Sequence, residues 1–329
     1  MSKTLRAAVV GVGHLGRWHA EKYTRIENVE LVAVCDLNQT SREELAQKYR
    51  CLAMVDYRDL KDRVDLVTIA TPTNRHFEVA KFFLENNVPV HVEKPITLNS
   101  SEARILVKLA EEKNLTLQVG HVERFNPALI MAREKLGTPL FIECHRLAPF
   151  KPRSVDVDVV MDLMIHDLDL ILNLVESQPI SVLAVGSPVL TQKIDIANAR
   201  IEFANKTVAN VTASRVSLGT QRKFRVFQPD QYLSIDFGAG EVALIEKAKA
   251  GRGSQIMPST EPSTTFDLPL ERHVWQLEKG DALLDETRAF VDAVRAKSPA
   301  LITGQDGLKA LELAETIVNT INVNANLSQ

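Results

Sequence analysis

Apolar and polar positions alternate along this chain in two different rhythms. Over the first part, short and nearly continuous apolar runs predict strands at about Leu5–Val10, Glu30–Cys35, Leu66–Ala70, Val88–Val92 and Thr116–Val119. Amphipathic segments between them predict helices around His14–Tyr23, Ser41–Tyr49, Arg75–Asn86 and Ser100–Lys113. Asn99 or Ser100 suits the cap of the last helix. Strands that are apolar on both faces and alternate with helices form a parallel, doubly wound sheet.

Beyond His121 the rhythm changes. A helix is predicted around Pro127–Lys135, a strand near Leu140–Leu147, a proline-marked loop at Pro149–Pro152 and a helix from about Val159 to Val175. Strand-like runs follow at Ser181–Ser187, Ile194–Phe203, Val208–Val216, Phe224–Gln228, Tyr232–Phe237 and Glu241–Lys247. Short turns such as Ala204-Asn205-Lys206 separate them, which predicts an open, mainly antiparallel sheet. Ala248–Thr265, rich in Gly, Ser, Thr and Pro, reads as a mobile loop. Helices at about Ala282–Ala296 and Gln305–Val323 end the chain. At 329 residues the chain exceeds one typical core. The division expected is 1–122 for an α/β domain and 123–329 for an α+β domain, with the last helix able to pack back on the first.

Strand, glycine turn, helix, strand and acid follow one another at the start. Gly11-Val12-Gly13-His14-Leu15-Gly16 sits where the first strand ends, and Asp36 closes the second. Glycines at this spacing allow a tight turn, close approach of a pyrophosphate and close helix–strand packing. The helix N-terminus offers free N–H groups to phosphate. An acid about twenty residues further on can bond both ribose hydroxyls of the adenosine. Together these predict a Rossmann-type dinucleotide site. Leu37 and Asn38 follow Asp36 with no adjacent arginine for a 2′-phosphate, so NAD is expected over NADP.

Composition narrows the partners. A net charge of −3 gives no reason to expect nucleic acid or an anionic membrane. No apolar run reaches the roughly 18 residues that span a bilayer, and no secretory leader opens the chain. Cys35, Cys51 and Cys144 lack metal or redox spacing, so reduced thiols in a cytoplasm are expected, without a metal.

Four further constellations carry chemistry. Thr71, Pro72 and Asn74, with His76, follow a parallel strand and face the cofactor crevice in such folds. Pro72 equally suits a helix start. Glu93-Lys94-Pro95 follows another strand, where Lys94 could stabilise negative charge on a substrate oxygen. Read alone, it is a surface Glu–Lys pair before a turn. At 100° per residue Asp162, His166, Asp169 and Asn173 form one narrow polar stripe on an otherwise apolar helix. The stripe reads equally as a solvated face or as a cleft lining with a histidine base between acids. Arg124 and Asn126 follow the last parallel strand and suit polar ligand contacts, although Asn126 also suits a helix cap. Arg153, in the loop before the acid–histidine helix, is a candidate phosphate clamp.

Taken in this order, the motifs resemble the Gfo/Idh/MocA family of NAD(P)-dependent oxidoreductases over nearly the whole chain. The resemblance implies a Rossmann domain with an open-sheet C-terminal domain and homodimers or homotetramers built through that sheet. It also implies hydride transfer between a sugar carbinol and nicotinamide. Lys94, Asp162 and His166 match the family's catalytic trio. The runs V-G-H-V-E-R-F-N-P-A and V-V-M-D-L-M-I-H-D-L-D look like those of UDP-N-acetylglucosamine 3-dehydrogenases, which feed a keto sugar nucleotide to a partner aminotransferase. Dehydrogenation of a free sugar or inositol is the alternative, and a non-catalytic NAD-sensing regulator a second.

Overall fold

The structure, a computed structural model, describes residues 3–151, 157–248 and 270–327. It divides into two compact units, Met1–Phe125 with Asp281–Glu315 and Asn126–Gly280 with Thr316–Gln329. Asp281–Glu315, which the sequence division placed in 123–329, is thus part of the first unit.

The first unit contains β1 (Leu5–Val10), α1 (Gly16–Tyr23), β2 (Val29–Cys35), α2 (Gln39–Tyr49), β3 (Leu52–Met54), β4 (Leu66–Ile69), α3 (His76–Glu85), β5 (Val90–Glu93), α4 (Ser100–Glu112) and β6 (Leu117–Gly120). The strands run parallel in the order β3-β2-β1-β4-β5-β6. Every residue of β4, β5 and β6 is buried, including the polar His91, Glu93 and Gln118, as expected for strands of a parallel sheet covered on both faces. Side-chain caps start the helices: Asn38 accepts from Ser41 N–H at 2.9 Å and Asn99 from Glu102 N–H at 3.0 Å. The strand order reverses between β1 and β4, so ligands are expected where their carboxyl ends diverge.

The second unit holds α5 (Pro127–Arg133), β7 (Phe141–Leu147), α6 (Ile165–Val175), β8 (Pro179–Ser187), β9 (Ile196–Phe203), β10 (Val208–Ser214), β11 (Gln221–Gln228), β12 (Gln231–Asp236), β13 (Glu241–Lys247) and β14 (Leu270–Gln276). Its sheet runs β14-β13-β12-β11-β7-β10-β9-β8 and is antiparallel except where β7 lies parallel to β10. Burial alternates along β7, β9 and β10, so one face is covered and the other open. Helix α5 packs on β12 and β13, and α6 on β7. Helices α7 (Ala282–Ala296) and α8 (Gly304–Leu327) follow. Leu284, Phe290 and Val291 of α7 join Ala20, Tyr23 and Val34 in the first unit's core.

Two strands, β3 and β14, were not expected. Each is an edge strand, β3 being three residues long and β14 paired only with β13. The Gly/Ser loop expected at 248–265 lies, apart from Ala248, outside the described residues.

A third difference bears on the candidate chemistry. The continuous helix expected over Val159–Val175 opens with a π-helical turn at Val160–Met164. The chain is pinned on both sides of that turn. Before it, Arg215 donates to Val157 O at 2.6 Å, Asp158 Oδ1 accepts from Ile194 N–H at 3.0 Å, and Val159 N–H donates to Ile194 O at 2.9 Å. After it, Arg146 on β7 grips Asp167 with two bonds, Nε to Oδ2 at 3.0 Å and Nη2 to Oδ1 at 2.7 Å. A π turn takes up one extra residue between fixed points. Asp162 lies in this turn and His166 just beyond it, so uniform 100° spacing does not hold across the pair.

Candidate active site

In the first unit the candidate residues gather at the carboxyl ends of β1, β2, β4 and β5. Gly11 has φ of +85°, and a Cβ there would meet Thr71 N at 2.5 Å. A Cβ on Gly16 would lie 1.8 Å from Gly11 O. These glycines let the turn close tightly upon itself and against the β4 loop. Gly13 differs, because a Cβ there would meet nothing within 4 Å. The space beside it is open, as a pyrophosphate needs, and Gly13, His14 and Leu15 are all exposed. Within α1 the Arg17 N–H already donates to Gly13 O at 3.4 Å and the Trp18 N–H to Leu15 O at 2.9 Å.

Asp36 is locked beside this turn. Its Oδ2 accepts from Val12 N–H at 2.7 Å and its Oδ1 from Asn38 N–H at 2.8 Å. A carboxylate oxygen retains lone-pair capacity after one such bond, so both remain able to accept ribose hydroxyls. Sequence reading found no arginine adjacent to Asp36. In the fold Arg42 reaches back from α2, and its Nη1 lies 3.3 Å from the carbonyls of both Asp36 and Leu37.

The β4 loop brings Thr71 against Gly11 and leaves Pro72 and Asn74 exposed. Thr71 Oγ1 is buried and has no hydrogen-bond partner among the described residues. Such an orphan is uncommon and fits a polar ligand group. His76 sits beneath the loop and is 1 % exposed. Its Nδ1 lies 2.9 Å from Pro95 O and its Nε2 2.9 Å from Thr71 O. Burial lowers its pKa against the pull of those carbonyls. His76 thus ties the β4 loop to the β5 loop, with both ring nitrogens turned to backbone.

At the end of β5, Glu93 is buried and Lys94 half-buried. The Lys94–Pro95 bond is cis. Arg124 is 5 % exposed, with Nη2 3.7 Å from Asp306 Oδ1.

In the second unit Asn126 caps α5, accepting from Ala128 N–H at 3.0 Å. Asp162 and His166 are half-buried, whereas Asp169 is 1 % exposed and Asn173 accepts from Arg133 at 2.7 Å. The stripe is therefore not a uniform solvated face. The Arg146–Asp167 pair, almost wholly buried, holds the first turn of α6 that carries His166. Sequence reading missed this pair because its partners stand on different elements. Arg153 lies outside the described residues.

A parallel sheet with a glycine cradle and an acid closing β2 defines the dinucleotide-binding class. Residues 5–121 match the Gfo/Idh/MocA oxidoreductase family, NAD-binding Rossmann fold, and residues 129–231 match that family's C-terminal domain. The UDP-N-acetylglucosamine 3-dehydrogenase of Acidithiobacillus ferrooxidans is 41 % identical over 312 residues, covering 94 % of this chain and 95 % of that protein. A solved structure of a UDP-N-acetylglucosamine 3-dehydrogenase from the same organism superposes with a TM-score of 0.88 at 38 % identity, covering 97 % of this chain and 98 % of that one. An inositol 2-dehydrogenase of Rhizobium meliloti is 26 % identical over 329 residues, covering 97 % of each. The chain belongs to the Gfo/Idh/MocA family of oxidoreductases, enzymes that bind NAD on a Rossmann fold.

Proposed function

We propose that this oxidoreductase oxidises a sugar hydroxyl of a nucleotide-linked sugar to a ketone, with C3 of a UDP-N-acetyl-hexosamine as the substrate position. The observation that carries the reading is the 41 % identity, over 94 % of the chain, with a UDP-N-acetylglucosamine 3-dehydrogenase. Dehydrogenation of inositol or a free sugar has the weaker support of 26 % identity.

The residues present fit NAD. The open space beside Gly13 suits the pyrophosphate, Asp36 the adenosine ribose and Thr71 Oγ1 a polar group of the cofactor. His14, Leu15, Pro72, Asn74 and Glu93 complete the set of cofactor-side residues. NAD, when bound, supplies the hydride acceptor. Within the chain, His166 takes the proton of the reacting hydroxyl, Lys94 holds the negative charge that develops on its oxygen, and Asp162 orients His166 or the sugar. Arg124 and Asn126 are engaged with Asp306 and the start of α5, which favours structural work over substrate contact.

Asp36 favours NAD over NADP, since its carboxylate would repel a 2′-phosphate, and Arg42 is engaged with backbone carbonyls. Asp36→Ala should weaken NAD roughly tenfold or more, the worth of lost charge-assisted bonds, and NADP far less. Isothermal titration with both cofactors decides this, and equal losses would contradict the ribose contact.

No helix among the described residues is long and apolar enough to cross a membrane. Three free cysteines, with burial raising the thiol pKa of each, accord with a reducing cytoplasm. Leu183 and Val185 on β8, each 64 % exposed, support a homo-oligomer formed through the open sheet face. A 3-keto product would suit an aminotransferase as the next enzyme. The test is NADH formation with UDP-N-acetylglucosamine against myo-inositol and glucose, with mass spectrometry for the keto product. Turnover of myo-inositol or glucose alone would overturn the sugar-nucleotide reading.

A further inference from the structure

A buried polar cluster lies directly behind Lys94, and of its members only Glu93 has a role above. Helix α1 contributes His19 and Tyr23, β4 contributes Thr68, and β5 contributes His91 and Glu93. All five are more than nine-tenths buried. His19 Nε2 lies 2.7 Å from Glu93 Oε1, and the second carboxylate oxygen accepts the Lys94 N–H at 3.2 Å. Burial pushes the Glu93 carboxyl up, but the His19 hydrogen bond and the surrounding basic groups outweigh it and hold the pKa at about 2. Glu93 is therefore an ionised acceptor, and His19 Nε2 must donate to it.

The surroundings are arranged for this pair. His91 packs edge-on against His19, with ring centroids 5.1 Å apart and planes at 81°. Burial, reinforced by the neighbouring His19, holds the His91 pKa at about 3, so its ring is neutral. Thr68 Oγ1 is 2.6 Å from Tyr23 OH and 3.5 Å from His91 Nδ1. On β6 a Cβ at Gly120 would lie 3.0 Å from Glu93 Oε2, so a side chain there would crowd the carboxylate. An apolar pair would pack α1 on β5 at least as well as a buried hydrogen-bonded one. The use of the pair lies in what it holds, and what it holds is the backbone of Lys94.

We propose that His19 is a positioning residue: by donating to Glu93 it fixes the Lys94 backbone, so the helix that opens at the pyrophosphate turn also aims the catalytic ammonium. The proposal rests on the role given to Lys94 above. It predicts that the donor matters and the ring does not.

The test compares wild type with His19→Leu, His19→Asn and His19→Gln in the full chain. Gln can return an N–H donor to the position of Nε2, whereas Leu has none and Asn is too short. Amide exchange at Lys94, read by fragmentation mass spectrometry, should quicken about tenfold in the Leu and Asn variants and remain near wild type in Gln. Pro95 has no amide, so a fragment ending there reports Lys94 cleanly. With UDP-N-acetylglucosamine, kcat should fall about tenfold in Leu and Asn while KM and NAD affinity stay within about twofold, and Gln should restore most of it. Two independent donor-free variants keep the test open if Leu is not tolerated in the core. Wild-type exchange at Lys94 in a folded donor-free variant would overturn the proposal. So would a loss of kcat that Gln fails to rescue. A wild-type enzyme inert toward every sugar nucleotide would instead overturn the functional reading, and exchange at Lys94 would still decide the positioning.

Discussion

His166→Ala and Lys94→Ala are each expected to lower kcat for sugar oxidation by a factor of roughly 10² or more, the range of general-base and charge-stabilising contributions. Removing a hydride from a carbinol carbon leaves its hydroxyl proton acidic, and the imidazole of His166 is the group proposed to receive it. The ammonium of Lys94 carries the complementary duty on the oxygen. Each side chain is half-buried, so an interaction it makes is less screened than one in open water. Neither change touches the glycine cradle or Asp36, so NAD affinity should remain within a few-fold of wild type. Steady-state NADH formation and cofactor titration on the same samples separate the two effects. Wild-type turnover in both variants would remove the catalytic assignment.

A second large effect is expected at the glycine turn, where two substitutions of identical size should behave differently. A methyl group on Gly16 would lie 1.8 Å from Gly11 O and 2.8 Å from Gly11 C, both backbone atoms that cannot swing aside. Gly16→Ala should therefore force the turn open, cost about 2 kcal/mol or more of stability and weaken NAD by roughly 30-fold or more. A methyl group on Gly13 meets no protein atom within 4 Å. Gly13→Ala should leave thermal stability near wild type and still weaken NAD, because the methyl occupies the space offered to the pyrophosphate. Thermal melts with and without NAD test both. A Gly13→Ala protein with wild-type affinity would show that the pyrophosphate lies elsewhere.

The parts of the site that were legible beforehand are those written in contiguous chain. From β1 through the Gly11–Gly16 turn to α1, β2 and Asp36, apolar periodicity and turn chemistry point the same way. The loops after β4 and β5 were less readable: their place at carboxyl ends of a parallel sheet pointed to a ligand, but Pro72 equally suited a helix start and Glu93-Lys94 a surface pair. The edge strands β3 and β14 were not, because short edge strands with one neighbour bury too little to leave a clear pattern. His76 was expected among cofactor contacts on its position in the loop. Only its two carbonyl neighbours, Thr71 and Pro95, reveal a side chain directed beneath that loop.

By itself the sequence determined the doubly wound sheet and the glycine turn, since these depend on spacing within a few turns or one strand, whereas Lys94, Asp162 and His166 were singled out only by resemblance to the family. Tertiary structure alone decided how those groups are held. His19 meets Glu93 across 74 positions and Arg146 meets Asp167 across 21, while Asp162 lies in a turn widened by anchors on both sides. Periodicity carries no information about which distant element will supply a partner. That is settled when burial of charged groups forces each of them to find one.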